Sequence, residues 1–313
     1  MTFILLTLDK DRHGIWVTRL AECLQQHGAI VQILSMEEIL HGTTTDQIRK
    51  QQWKGIINRV SDAADPISFK SVVAFLQAAR VMDIAVWNGP DAYSLCGNKW
   101  CHHILFQQAG LVAPTTMVTL RNNPLSEDST TAFSENGPFL AKPNAGGFGV
   151  GVQLVDRLEQ NDISSSSDNV TLLQQYFPTD RIYRVWFMRG RVQCGMVRSV
   201  RGESDFTAGC TGHVCTKRPA QNEAFLVPND IQQEIEGLCR LVPDAHAGSV
   251  EFLYDEKGRR LYFDFNLLST LPFPETIHNS ALAWGADYDP WKQQASEMMK
   301  FFGDHLSSNP LNL

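Results

Sequence analysis

Residues 139–152 of this 313-residue chain place one lysine beside four closely spaced glycines. The glycines that follow Lys142 are Gly146, Gly147, Gly149 and Gly151. Glycine reaches positive φ without strain, so successive backbone N–H groups in such a turn can close around an anion. Lys142 adds a positive charge beside them, and the anion that suits this arrangement is a nucleotide polyphosphate. Loops also collect glycines without binding anything, so a glycine-rich hairpin with an unrelated lysine is the alternative.

The spacing of this stretch excludes two common phosphate-binding loops. A Walker A loop ends in Gly-Lys-Ser/Thr, whereas Lys142 precedes the glycines. A dinucleotide-binding loop opens a helix, but residues 150–155 continue as a second strand by their pattern. We therefore predict a hairpin whose glycine-rich tip folds over phosphates.

Two acidic residues and an asparagine occur in another predicted hairpin, formed by residues 248–254 and 260–266. Glu251 and Asp264 are thirteen positions apart, and Asn266 follows two residues later. Since side chains alternate along a strand, Asp264 and Asn266 point to one face, and Glu251 can lie opposite. Carboxylate and amide oxygens are ligands for magnesium. An exposed acidic face is the alternative, but both acids lie in apolar strands, where an unpaired carboxylate is costly, and this favours a cation partner.

The cysteines indicate reduced thiols rather than a disulfide framework. There are seven, an odd number, and they are scattered through a large chain, which is typical of a cytoplasmic protein. Cys210, His213 and Cys215 could supply zinc ligands. Because strong zinc signals come as two spaced pairs and no second pair is evident, a zinc site is the weaker interpretation.

Strands and helices alternate in the first third of the chain. The predicted strands cover residues 3–8, 30–34, 55–60 and 84–87, and the predicted helices cover 15–26 and 69–82. This alternation predicts a parallel sheet, in which ligands sit beyond the carboxyl ends of the strands. The polar residues expected there are Asp9, His13, Asn58, Arg59 and Asn88. Loop capping or a solvated charge explains each of them equally well.

The rest of the chain reads mainly as antiparallel hairpins. Predicted strands cover residues 116–120, 170–177, 183–188, 191–198, 248–254 and 260–266. Helices are predicted over 92–109 and 230–242, and the first of these carries Lys99. Alternation places Arg184, Trp186 and Met188 on one face of their strand.

Composition narrows the classes of partner. The net charge of −7 and the pI near 5.7 argue against a nucleic-acid backbone as partner. No apolar run approaches the roughly 18–20 residues that span a bilayer. Residues 1–10 read as a buried first strand rather than a signal peptide, because basic residues do not come first. A cytoplasmic protein is expected.

The order of these motifs resembles the ATP-grasp superfamily, and in particular its RimK-like carboxylate–amine ligases. The matching stretches are residues 55–59, 98–99, 110–115, 142–152, 173–177, 183–184 and the set Glu251, Asp264 and Asn266. The resemblance implies an α/β chain that is α+β in its ATP-binding half, with an N-terminal parallel-sheet pre-ATP-grasp domain. It implies a division into residues 1–96, a central lid subdomain over 97–178, and a C-terminal subdomain over 179–313 with the metal site.

The resemblance also implies a role for each matching residue. Lys99 and Lys142 bind the α- and β-phosphates of ATP beneath the loop that contains Gly146, Gly147 and Gly149. The residues facing adenine are Gln174, Gln175, Tyr176 and Phe177. Arg184 faces the γ-phosphate or an acyl phosphate, and Arg198 stabilises that intermediate or the bound carboxylate. Magnesium, or manganese in its place, is held by Glu251, Asp264 and Asn266.

The implied activity is ATP-dependent joining of a carboxylate to an amine, with release of ADP and phosphate. Three features depart from the family pattern. Glu251 and Asp264 exchange the usual order of Asp and Glu, Ile182 replaces a common acid, and residues 267–272 replace a segment that usually continues with a small residue, proline and glycine. The exchange moves each ligand oxygen by about one methylene.

Two other activities remain open on the same residues. One is a phosphotransferase that stops at a phosphorylated product, and the other is a nucleotide-binding regulatory module without turnover. The basic residues Arg59, Arg198, Arg201, Lys217 and Arg218 suggest an anionic donor, small molecule or peptide. Many relatives pair through their N-terminal domains, so a homodimer is one expectation.

Overall fold

The computed structural model describes residues 1–41, 45–50, 52–61, 66–120, 138–146, 151–155, 170–200 and 220–308. Within these ranges the strands form three sheets, of four, four and five strands in chain order. The first sheet is parallel and the other two are antiparallel. This is the predicted combination of an α/β N-terminal part with α+β segments after it. The predicted boundaries at residues 96 and 178 stay a prediction.

The first sheet is buried on both of its faces. Its strands, in the order β2-β1-β3-β4, are β1 (Thr2–Thr7), β2 (Ile30–Ser35), β3 (Gly55–Asn58) and β4 (Ala85–Trp87). Ile4 and Ile56 face one hydrophobic core, whereas Phe3 and Ile57 face another. Burial on both faces explains why β1 and β3 read as continuous apolar runs, as parallel strands usually do.

Helices connect and cover these strands. They are α1 (Ile15–Gln26), α2 (Met36–Leu40), α3 (Thr45–Lys50) and α4 (Pro66–Val81). Helix α1 has the predicted bounds and buries Val17, Leu20 and Leu24, one face at helical spacing. A reciprocal pair of hydrogen bonds between Ser35 and Glu38 caps the start of α2.

The predicted helix over residues 92–109 is wrong as a single element. The structure has two helices there, α5 (Pro90–Cys96) and α6 (Lys99–Gln108). Gly97 ends the first, and Asn98 has extended backbone angles while its side chain accepts a hydrogen bond from the Cys101 N–H at 3.1 Å. An asparagine in this position caps a new helix. The break therefore places Lys99 in the first turn of α6.

The second sheet contains the glycine-rich hairpin. Its strands, in the order β5-β8-β6-β7, are β5 (Thr116–Leu120), β6 (Phe139–Pro143), β7 (Gln153–Val155) and β8 (Val170–Gln175). Strands β6 and β7 pair antiparallel, with Leu140 opposite Leu154. The prediction of a hairpin, rather than a strand followed by a helix, is confirmed.

The third sheet contains the acidic hairpin. Its strands, in the order β11-β10-β9-β12-β13, are β9 (Arg181–Met188), β10 (Arg191–Val200), β11 (Ala220–Phe225), β12 (Ala247–Tyr254) and β13 (Arg260–Asn266). Helix α7 (Asn229–Arg240) buries Ile231, Ile235 and Leu238 in the core that also contains Phe252 and Phe265.

The chain returns to the first sheet through two helices. A short helix, α8 (Ser280–Trp284), precedes the long helix α9 (Pro290–Ser308), which is absent from the predicted elements. Phe302 of α9 stacks on Phe3 of β1 with ring centroids 4.5 Å apart. Trp186 and Ala247 of the third sheet belong to the same core. The first and third sheets are therefore packed through shared hydrophobic cores.

This packing predicts an effect at Gly55, where a Cβ atom would overlap the ring of Phe302. Replacing Gly55 with alanine should lower the free energy of unfolding by about 1–3 kcal/mol, because a filled core resists added volume. Gly303 is the matched control, since a Cβ there meets no atom within 4 Å and lies within α9. Gly303→Ala should be neutral or stabilising by up to about 1 kcal/mol. Urea unfolding measures both, and equal effects would contradict the packing argument.

The described residues contain no helix with the length and apolar character that crossing a bilayer requires. The cysteines described as free thiols are Cys23, Cys96, Cys101, Cys194 and Cys239. Burial raises the pKa of Cys194 and of Cys239 to about 12, so both stay protonated at neutral pH. Cys210, His213 and Cys215 lie outside the described residues.

Candidate active site

Strands β12 and β13 bring the predicted metal ligands onto one hairpin. Glu251 pairs directly with Asp264, and Ser249 pairs with Asn266, with a register shift immediately after Glu251. Directly opposed residues of antiparallel strands share a face. The predicted arrangement of Glu251 opposite the Asp264–Asn266 face is confirmed. No group of three His, Cys, Asp or Glu side chains suited to a metal occurs in the described ranges. The third oxygen donor on this hairpin is the amide of Asn266, beside the carboxylates of Glu251 and Asp264.

Glu251 has a protein cation as its nearest partner. Its Oε1 accepts a hydrogen bond from Nη2 of Arg184, the residue opposite it on β9. Arg184 Nη1 also donates to Ser269 Oγ at 3.1 Å. Burial raises the pKa of Glu251, Arg184 opposes that shift, and the charge of Asp264 adds to it. A further cation beside Glu251 would therefore favour its ionised form.

Asp264 has a second cationic environment. His102 Nδ1 lies 3.3 Å from Asp264 Oδ1 and also 3.3 Å from the Phe265 backbone nitrogen, while His102 Nε2 donates to the Cys96 carbonyl at 2.8 Å. Burial alone would raise the pKa of Asp264, but His102, followed by the charges of Lys99 and Arg184, lowers it well below its usual range. Asp264 is therefore ionised at neutral pH and ready to act as a ligand.

Asn266 is held by a local turn. Its Oδ1 accepts a hydrogen bond from the Leu268 N–H at 2.9 Å. An amide oxygen has two lone pairs, so one remains after this bond. The turn fixes the direction of the side chain at the end of β13.

The glycine-rich turn is tied to the start of α6. The Asn144 carbonyl accepts from the Lys99 backbone N–H at 3.0 Å, and its Oδ1 accepts from the Trp100 N–H at 3.0 Å. Lys99 Nζ donates to the carbonyl of Gly146, which has φ +109 and so favours glycine. Gly147 and Gly149 lie outside the described residues.

Lys142 extends from β6 toward the acidic hairpin. Its Nζ donates to Gln174 Oε1 at 2.5 Å and lies 5.6 Å from the ring centroid of Phe263, the residue before Asp264. Gln174 Nε2 in turn donates to Thr116 Oγ1 at 3.0 Å. The glycine-rich hairpin and the acidic hairpin therefore border one space, with Lys99 and Lys142 between them.

The predicted adenine-facing residues follow the end of β8. The Gln175 N–H donates to the Thr115 carbonyl at 2.8 Å, and the Tyr176 N–H donates to the Pro138 carbonyl at 2.9 Å. Gln174 is buried, and its side-chain amide bonds both Lys142 and Thr116. Phe177 follows the strand, which ends at Gln175 rather than at the predicted residue 177.

The remaining predicted residues belong to three groups: one beside Glu251, one at the carboxyl end of the first sheet, and one outside the described residues. Arg198 is exposed on β10, and its positive charge lowers the pKa of Glu251, so it belongs to the same electrostatic environment. At the carboxyl end of the first sheet, Asn58 and Asn88 are buried, whereas Asp9 and His13 are exposed. The predicted basic residues Arg201, Lys217 and Arg218 lie outside the described residues.

Four further residues, which the sequence analysis did not predict as part of the site, bond the predicted site residues or lie against them. They are His102, Asn144, Ser269 and Thr116. His102 follows Lys99 by three positions on one helix, a spacing that places both on one face. That spacing was the available signal. The contacts of Asn144, Ser269 and Thr116 join different elements, and no sequence pattern marks them.

No protein-family profile and no curated protein matches the sequence. The structure does resemble solved ones. D-Alanine–D-alanine ligase from Bacillus anthracis has a TM-score of 0.70 at 13% identity, covering 99% of this chain and 100% of that one. The D-cycloserine synthetase DcsG has a TM-score of 0.65 at 14% identity, covering 95% and 99%.

A third similar structure is an ATP-grasp ligase, PsnB, solved with a minimal precursor, Mg and ADP. Its TM-score is 0.63 at 16% identity, covering 96% of this chain and 97% of that one. Likeness over nearly the full length of each chain, at identities this low, establishes architecture rather than activity. This chain therefore has the ATP-grasp fold.

Proposed function

We propose that this protein is an ATP- and magnesium-dependent ligase of the RimK-like type, which activates a carboxylate as an acyl phosphate and joins it to an amine. The observation that carries the proposal is the position of Lys99. Its Nζ bonds the Gly146 carbonyl in the glycine-rich turn, and its charge also lowers the pKa of Asp264 in the acidic hairpin. One lysine thus lies between a phosphate-binding turn and a set of metal ligands.

The donor set suits magnesium. Two carboxylates and one amide oxygen are hard ligands, and magnesium takes few protein ligands beside water and phosphate oxygens. Glu251, Asp264 and Asn266 would hold the ion, and manganese accepts the same oxygen ligands. When bound, the ion neutralises charge on the transferred phosphoryl group.

The chain's own cations supply the remaining charge stabilisation. Lys99 and Lys142 bind the α- and β-phosphates, since both ammonium groups border the space between the hairpins. Arg184 moves its hydrogen bonds from Glu251 and Ser269 to the γ-phosphate or acyl phosphate. Arg198 orients the substrate carboxylate. Such fixed charges act on the loose transition state of phosphoryl transfer.

A carboxylate needs this activation because its leaving group would otherwise be oxide. Transfer of the γ-phosphoryl group converts that oxygen into a phosphate, which leaves when an amine attacks the carbonyl carbon. Backbone groups near Gln175, Tyr176 and Phe177 would bind adenine, with Gln174 supporting Lys142. The acyl phosphate hydrolyses easily, so the site must exclude water during the reaction.

The substrates are a carboxylate donor and an amine acceptor, either small molecules or peptides. PsnB was solved with a precursor peptide and DcsG is a D-cycloserine synthetase, and these two similar structures support keeping both substrate sizes in the proposal. A cytoplasmic location, the absence of nucleic acid as partner and a homodimer stay predictions.

The products distinguish this proposal from other ATP-dependent activities. We expect ADP and phosphate when magnesium, ATP, the donor and an amine are present, and hydroxamate when hydroxylamine replaces the amine. Release of AMP would contradict an acyl phosphate mechanism. Turnover with no need for an amine would indicate the phosphotransferase.

A regulatory module without turnover is the second candidate. The bond between Arg184 and Glu251 favours it, because it gives Glu251 a partner without a metal. Nucleotide binding that neither needs magnesium nor leads to ADP release would support this candidate.

His102 gives a prediction specific to the metal site. His102→Leu removes the group that lies against Asp264, and the magnesium concentration for half-maximal ADP release should rise about 10- to 100-fold. His103→Leu is the matched control on the next residue, which is partly buried and contacts neither acid by any described bond. Mn2+ binding followed by electron paramagnetic resonance checks the result without turnover. Equal metal affinity in the two variants would contradict the role of His102.

A further inference from the structure

We propose that Arg59 binds a second carboxylate of the donor, separate from the one that is activated. This inference rests on the proposed ligase activity and specifies its substrate class as dicarboxylic acids or peptides with an additional acidic group. It depends on Arg59 and Thr7, two polar residues at the carboxyl end of the first sheet.

Arg59 is a shielded cation with no protein partner in the described part of the chain. Its Nε atom is buried without a hydrogen bond, and its backbone N–H donates to the Leu6 carbonyl at 2.7 Å. Burial lowers its pKa to about 10, so it remains charged at neutral pH. A shielded charge without a counterion is costly, which indicates that an anion belongs there.

Among the described arginines that are only partly exposed, four have carboxylate partners: Arg12, Arg19, Arg184 and Arg260. The described arginines that share with Arg59 the lack of an ion pair include Arg181, Arg191 and Arg240, and these three are exposed to solvent. Arg59 differs from both sets, since an arginine shielded from solvent is expected to pair. Its missing partner must come from outside these residues.

A second unsatisfied group lies on the same face of the sheet as Arg59. Leu6 of β1 pairs with Asn58 of β3, so Thr7 and Arg59 each follow one member of that pair. Phe3, Leu5 and Ile57 face one core and Leu6 and Ile56 face the other, so alternation places Thr7 and Arg59 on one face and Asn58 on the other. Thr7 Oγ1 is buried without a hydrogen-bond partner among the described residues, at 0% residue exposure. Hydroxyl and guanidinium donors on adjacent strands suit a carboxylate, whose two oxygens accept several hydrogen bonds.

This edge of the sheet adjoins the proposed reaction centre. Asn88, which follows the neighbouring strand β4, donates to the Leu267 carbonyl at 3.1 Å. Ser269, two residues after Leu267, accepts the hydrogen bond from Arg184. Residues 267–269 therefore connect this edge of the sheet to Arg184, and in the proposal one donor spans the two arginines.

Arg59 is separate from the cations that surround the metal ligands. Arg184 and Arg198 lie on β9 and β10 of the third sheet, whereas Arg59 directly follows β3 of the first sheet. The activated carboxylate belongs beside Arg184 and Arg198, near the phosphates. Arg59 is then left for a different acidic group on the same donor.

The test compares glutarate with its monoamide, which has the same shape but one carboxylate fewer. Dissociation constants are measured by calorimetry with wild-type protein, ADP and Mg2+, and by saturation-transfer NMR up to 50 mM ligand for weak binding. We expect glutarate to bind about 10- to 100-fold more tightly than the monoamide, the range for a hydrogen bond to a charged group. Arg59→Gln should reduce that ratio to about 2-fold or less.

Arg259→Gln is the matched control, because Arg259 is exposed and bonds Asp255 in the turn between β12 and β13. It should retain the wild-type ratio. If Arg59→Gln does not fold, Thr7→Val replaces it, and this variant should lower the ratio several-fold by removing one donor. Equal binding of the two acids by the wild type, no glutarate binding at 50 mM, or an unchanged ratio in the folded variant would overturn the proposal.

Failure of the ligase activity would appear differently. If the ligase activity is absent, no ADP is released with any acid and amine tested. The ratio of the affinities for glutarate and its monoamide is measured without turnover, so it does not depend on that activity. A retained ratio in a protein that releases no ADP would support the carboxylate site and reject only the activity. Release of ADP from a protein with no preference for glutarate would reject the carboxylate site alone.

Discussion

Asp264→Asn is expected to reduce magnesium-dependent ADP release by about 10³-fold, the upper range for losing one preorganised charged group at a reaction centre. Asparagine keeps the size of the side chain but removes its negative charge. In the wild type, His102 and Lys99 lower the pKa of Asp264 and so favour that charge. The variant also leaves His102 beside a neutral amide, and it removes one of the two carboxylates proposed to bind the ion. ADP release over a range of Mg2+ concentrations measures the effect, and Mn2+ binding should weaken in parallel.

Asp230→Asn is the matched control for this change. Asp230 pairs with Arg260 on the surface, where an ion pair contributes about 1 kcal/mol or less. The control should retain ADP release within about 2-fold of the wild type. A variant at Asp264 that binds and hydrolyses ATP like the control would contradict the assignment of β13 as a metal-binding strand.

The parts of the fold that follow local periodicity could be predicted from sequence. Strand β1 is a continuous apolar run, helix α1 has an apolar face, and the β12–β13 hairpin has a Gly258 turn. The helix over 92–109 failed because its apolar period continues across Gly97 and Asn98, so only the capping bond to Cys101 reveals the break. The long helix α9 is absent from the predicted elements although its buried residues Trp291, Ala295, Met298 and Phe302 recur at helical spacing.

The residues of the candidate site likewise divide into those that the sequence predicted and those that only the folded structure reveals. Spacing identified Lys142 and the Glu251–Asp264 pair, because ligand chemistry limits which residue types can occupy such positions. The partners that prepare these carboxylates, Arg184 and His102, come from β9 and α6 and meet the hairpin only after folding. A buried carboxylate predicted a cation partner correctly, but sequence could not distinguish a metal from an arginine.

Asn88 joins the first sheet to the acidic hairpin through four hydrogen bonds. Its Oδ1 accepts from the backbone N–H groups of His246 and Ala247 at 2.8 and 2.9 Å. Its Nδ2 donates to the carbonyls of Ala247 and Leu267 at 2.9 and 3.1 Å. The residue is 2% exposed and has φ 61, a left-handed conformation that asparagine tolerates better than most residues. Leu267 directly follows the proposed ligand Asn266, so this contact also fixes the position of the end of β13.

Asn88→Ala should therefore lower the free energy of unfolding by about 4 kcal/mol, since it leaves buried backbone groups without partners and puts alanine in a left-handed conformation that asparagine tolerates better. Asn88→Gly should cost about 1 kcal/mol less, because glycine removes the backbone strain but not the lost hydrogen bonds. Asn279→Ala is the matched control: Asn279 has φ 57 but bonds only Glu223 on the surface by any described contact, so its loss should reflect backbone strain alone. Urea unfolding followed by both tryptophan fluorescence and circular dichroism measures the three variants. If Asn88→Ala and Asn279→Ala cost the same, the four hydrogen bonds do not hold the two sheets together.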